Sequence, residues 1–147
     1  MTGSTGRADY SADFYSWSLE QARLVRQGDW AELDRDNVAE EIESLAREQF
    51  NKLEAAIRKL LVEILKWDHA PAARDRSSIL SIDLQRVEIE ELLSDNPGMR
   101  PRIPEAVARA HRRARLAAAK ETELDEAGFP DSCAYGFDEI MRREFVL

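Results

Sequence analysis

Cysteine is nearly absent from this chain. Cys133 is the only one, so no internal disulfide and no cysteine-based zinc site can form, which fits a reducing compartment. Glycine and proline are few, and they stand between segments rather than inside them, which favours helices over strands and turns. Long apolar runs are missing too. Stretches such as Leu60-Leu61-Val62 are far too short to span a bilayer, and MTGSTGRADY at the front has no apolar stretch of the kind a secretory signal needs. No glycine-rich phosphate loop or Walker-type lysine is present, and no nucleophile sits in a recognisable motif. The expectation is a soluble, cytoplasmic protein with no cofactor and no membrane partner. A net charge of −8 argues against a general nucleic-acid binder.

What is present is helical periodicity. At 147 residues the chain suits one domain with a real core. Residues 1–10 are small, polar and glycine-containing, and are expected to be disordered, leaving 11–147 as a single helical domain. Ser11 or Asp13 can cap a first helix, which Gly28 stops near Gln27. Phe14, Trp17, Gln21, Leu24 and Val25 share a face, and Asp29 to Leu33 suggests one short helical turn. A long second helix follows from Asp34 or Asp36. Val38, Ile42, Leu45, Leu53, Ile57, Leu60 and Ile64 recur along it at steps of three and four, and Pro71 ends it. A third helix spans about Ser77 to Ser94, with Ile79, Ile82, Val87, Ile89, Leu92 and Leu93 inside, and Asp95-Asn96-Pro97-Gly98 stops it. Pro104 opens a fourth, to about Thr122, whose inner side is small: Ala106, Val107, Ala110, Ala114, Ala117 and Ala118. The tail carries too many large apolar side chains to be solvated, and a short helix is expected near Phe137 to Glu144. The fold class is therefore all-α: an up-and-down bundle of about four helices with a short C-terminal helix and a packed tail.

Chemistry is sparser. Glu40 and Glu43 share a helix face and are the best small-site candidates, as half of a carboxylate metal site that His69 or His111 would complete. Against that, no Glu-x-x-His motif exists, and acidic residues near a helix start ordinarily complement the macrodipole. Arg102, Arg109, Arg113 and Lys120 form a stripe, with Arg112 and Arg115 beside it. Such a stripe tracks phosphates, docks an acidic partner or pairs internally, and here it lacks the interleaved aromatics of single-strand binders. Trp30, in a short irregular segment, is a candidate partner contact.

The string DFYSWSLEQARLVRQGDWAELDRDNVAEEIESL resembles the opening of the DUF-29 family, a bacterial group named for its lack of known function. The resemblance continues through LEAAIRKLLVEILKWDHAPAAR and GMRPRIPEAVARAHRRARLAAAKET to FPDSCAYGFDEIMRREF, nearly the whole chain after residue 10. It implies a helical bundle and supplies no reaction, ligand or catalytic residue. This chain departs from the family where many members carry Ser-x-Ser-Trp and it reads Arg76-Ser77-Ser78-Ile79. It departs again at His111-Arg112-Arg113, where members tend to have aromatic and acidic residues. The functional expectation is a non-enzymatic accessory or regulatory protein that contacts an unidentified protein partner and forms a homodimer. The alternatives are a carboxylate metal site or enzyme at Glu40 and Glu43, and nucleic-acid association through the arginines.

Overall fold

The computed structural model describes residues 7–147. Among them every regular element is helical. The long helices are α1 (Phe14–Gln27), α2 (Arg35–His69), α3 (Arg76–Asp95) and α4 (Ile103–Thr122), followed by the short α5 (Phe137–Arg142). No helix among the described residues is long and apolar enough to cross a membrane. The chain falls into two compact units, Met1–Ala46 and Arg47–Leu147.

In the first unit the boundaries follow local chemistry. Asp13 caps α1, its carboxylate accepting from the Ser16 amide at 3.0 Å. Gly28 closes the helix in the left-handed region at φ 68°. Its amide donates to the Val25 carbonyl at 3.1 Å and the Asp29 amide to the Leu24 carbonyl at 3.0 Å, the paired bonds of a Schellman ending. Asp29 to Leu33 is a turn without helix, shorter than the helical turn expected there. Of the segment expected to be disordered, residues 1–6 lie outside the described residues, while the Arg7 guanidinium donates to the Glu32 carbonyl at 2.6 Å and the Tyr10 hydroxyl to Glu41. Trp17, Gln21 and Leu24 are buried. Phe14, Val25, Ile42 and Leu45, expected inside by their spacing, are exposed.

The second unit holds the main core. Leu53, Ile57, Leu60, Leu61, Ile64 and Leu65 from α2 are fully buried with Ile82 and Ile89 from α3 and Ile140 from α5. Ala106, Ala110, Ala114 and Ala118 line one face of α4 at four-residue steps, all with no exposed surface. Their small side chains let the larger aliphatics of the neighbouring elements approach the α4 backbone. Asp75 caps α3, accepting from the Ser78 amide at 2.7 Å. Val87, expected inside, is exposed, because α3 carries apolar residues on two faces and the core covers the one with Ile82 and Ile89.

The tail is tied down by polar groups as well as by grease. Asp68 at the end of α2 accepts two bonds from the Arg143 guanidinium, at 2.8 and 2.6 Å, and one from the Tyr135 hydroxyl at 2.7 Å. Arg86 on α3 donates to the carbonyls of Ile140 and Arg143 at 3.0 and 2.8 Å. The Trp67 and Phe145 rings meet edge-on with centroids 5.4 Å apart. Phe129 and Ile140 complete the packing that the greasy tail implied.

Candidate functional site

The first unit carries a groove of about 490 Å³ between α1 and the front of α2. Its lining is mostly apolar and includes Phe14, Val25, Ile42 and Leu45, whose exposures are 51%, 43%, 62% and 63%. Side chains of this size and exposure stand in one patch rather than singly, which separates them from the scattered apolar residues of any surface. Two of the lining residues, Trp17 and Gln21, are held by polar contacts with Asp34. Asp34 accepts from the Trp17 indole at 3.0 Å and from Asn37 at 2.9 Å, and the Asp34 amide donates to the Gln21 side chain at 2.8 Å. The Asn37 bond, reinforced by Trp17, holds the Asp34 carboxyl below the usual carboxylate range. Tyr10, Phe14 and Trp17 form a ring cluster, with Tyr10 and Trp17 centroids 4.8 Å apart.

Glu40 and Glu43 lie on α2 within this unit, and each is engaged in an interaction of its own. Their neighbour Glu41 accepts the Tyr10 hydroxyl bond and also lines the groove. Trp30 is 61% exposed in the turn after Gly28. Among the described residues no group of three or more His, Cys, Asp and Glu side chains is placed to hold a metal ion.

The arginines of α4, with Arg102 just before it, belong to the second unit and are largely committed there. Arg102 and Arg109 pair with Glu105 at 3.0 and 2.9 Å, and their guanidiniums stand 3.7 and 5.6 Å from the Phe50 ring centroid. Arg113 reaches buried Glu54 at 4.0 Å. Arg115 pairs with Glu126 and Asp131 at 3.2 and 3.0 Å and donates to the Phe129 carbonyl at 3.1 Å. Arg112 is exposed and makes no ion pair among the described residues.

Beside α4 runs a second, larger cleft of about 870 Å³. His111 lines it and is buried, with its Nε2 in no hydrogen bond. Burial, with Arg115 close by, pushes the imidazole below its ordinary pKa. Cys133 lines the same cleft. Burial raises its thiol, and it donates to the Tyr135 carbonyl at 3.5 Å. His69, at the end of α2, meets Phe129 edge-on instead, with centroids 5.4 Å apart.

The groove residues Phe14, Ile42 and Leu45 were visible in the sequence but read as core. The cleft went unseen, because His111 and Cys133 are 22 positions apart and no motif links them. A family model described as domain of unknown function DUF29 matches residues 10–146. No curated protein and no solved structure matches the chain.

Proposed function

The chain belongs to the DUF29 family, and on that premise we propose a non-enzymatic accessory or regulatory protein of the bacterial cytoplasm, which holds a protein partner in the groove of its first unit. The observation that carries this reading is the apolar patch of Phe14, Val25, Ile42 and Leu45 on a strongly acidic unit. Between Arg7 and Ala46 ten acidic side chains stand against four basic ones. The fitting occupant is an amphipathic helix with aliphatic anchors at three- and four-residue steps and Lys or Arg along its rim. Covering four half-exposed side chains contributes roughly 1 kcal/mol each.

Co-purification from the protein's own cells tests it. Ile42→Glu and Leu45→Glu alter exposed positions, so the unit still folds, and they are expected to abolish the stoichiometric partner that the wild type retains. Leu84→Glu, in the second unit, is expected to keep it. Retention by Ile42→Glu, or a partner without a basic amphipathic segment, contradicts the reading.

A second contact is favoured by α3, where Leu80, Leu84 and Val87 form an exposed stripe at steps of four and three. The start of the helix carries Arg74 and Arg76 around the Asp75 cap, a net positive end, and its other end carries Glu88, Glu90, Glu91 and Asp95. Two copies laid antiparallel about Leu84 bring each basic start beside the other's acidic end, which supports a homodimer. Light scattering on the purified protein is expected to give twice the chain mass, and Leu84→Glu the mass of one chain. A wild-type monomer at high micromolar concentration overturns this contact.

A further inference from the structure

We propose that the cleft beside α4 binds a small amphipathic carboxylate, with its apolar body against Ile103, Val107, Leu116 and Phe137 and its carboxylate between His111 and the Arg112 guanidinium. At about 870 Å³ the cleft lies within the range of small-molecule sites. More than half of its lining residues are apolar or aromatic, and the rest are polar or charged, the mix that can hold a ligand's body and fix its orientation.

His111 supplies the first of these. The residue is only 2% exposed and its Nε2 has no hydrogen-bond partner. Buried polar atoms in folded proteins are nearly always paired, with protein, water or a ligand, so an unpaired one in a residue that lines a cleft is available to a ligand's acceptor. A neutral imidazole with its proton on Nε2 donates to a carboxylate oxygen, and it has no competing bond to give up. The His111 residue lines the cleft while its Nε2 is closed off from solvent, so binding needs a shift of the side chains over it.

Charge sets the sign of the ligand's polar end. The lining holds Arg112, Arg115, Glu126 and Asp131. Arg115 is occupied by Glu126, Asp131 and the Phe129 carbonyl, which also takes up both acidic groups. Arg112 has no ion pair among the described residues and is the remaining charge. An ammonium group would meet a cation and no uncommitted carboxylate. A carboxylate matches the planar guanidinium fork and sets one negative charge against the one uncommitted cation, whereas a phosphate dianion would set two against it.

The test is a titration of the full ¹⁵N-labelled chain with octanoate, using octanol and octylamine as controls and reading the imidazole nitrogens. His69 is the only other histidine, so a His111→Gln spectrum assigns the signals. Octanoate is expected to shift the His111 Nε2 resonance saturably. Octanol and octylamine are expected to bind at least about tenfold more weakly, and Arg112→Gln to weaken octanoate by about tenfold or more, the usual effect of losing a charged hydrogen bond. Arg112 is exposed, so that variant folds even if His111→Gln does not. An unmoved His111 signal overturns the proposal. So does octanol binding as tightly as octanoate, which would make the cleft an apolar crevice only, or an Arg112→Gln variant of unchanged affinity. The groove of the first unit plays no part in this result.

Discussion

At position 111, burial and charge act in the same direction. The desolvated imidazole and its Arg115 neighbour both disfavour the protonated ring, so His111 binds a proton less readily folded than unfolded. Its contribution to stability is therefore complete above the ordinary histidine pKa of about 6.5 and declines as pH falls below it. Urea unfolding of the second unit is expected to show lower stability at pH 5 than at pH 7.5, and His111→Gln is expected to remove most of that difference. Equal stability at the two pH values would contradict the burial argument. Glu123 is a simpler case. It ends α4 at φ 58°, in the left-handed region where a side chain costs free energy and glycine does not. Glu123→Gly is expected to stabilise the fold by about 1 kcal/mol, and a loss of stability in thermal or urea melts would show that the Glu123 side chain does more than tolerate its backbone.

At the scale of elements, helix boundaries were the most legible feature, because caps are local. Asp13 starts α1 by its side-chain cap, Gly28 ends it by its freedom at positive φ, and Asn96-Pro97 ends α3 because proline cannot continue the helix. Burial was less legible. The spacing of Ile42, Leu45 and Val87 matches a core face, but periodicity identifies a stripe without saying what covers it. The tail's anchor was invisible for a different reason: Asp68 and Arg143 are 75 residues apart, and no local rule pairs them. That anchor makes its own prediction. Arg143 above all, with Tyr135, holds the Asp68 carboxyl below the usual range, so the stabilisation is present above about pH 4 and is lost as pH falls through the lowered folded value. Asp68→Asn is expected to cost about 2 kcal/mol and to speed amide exchange from Ile140 to Arg143. Unchanged exchange there would mean that apolar packing alone retains the tail.

For the whole molecule, family and fold class could be read before any coordinates, and function could not. The acidic stretch around Glu40 and Glu43 suggested a carboxylate site, yet what distinguishes that unit is the apolar groove beside it, made of residues whose exposure only a structure reveals. The acidic surround predicts that partner binding weakens as salt rises. The most direct test places a photo-crosslinking amino acid at position 42 in living cells, with position 84 as the control, and sequences the captured peptide. One dominant adduct is expected from position 42, in a basic amphipathic helix of another protein, and none of that adduct from position 84. Crosslinks from position 42 that reach only this chain, or a second copy of it, would contradict it.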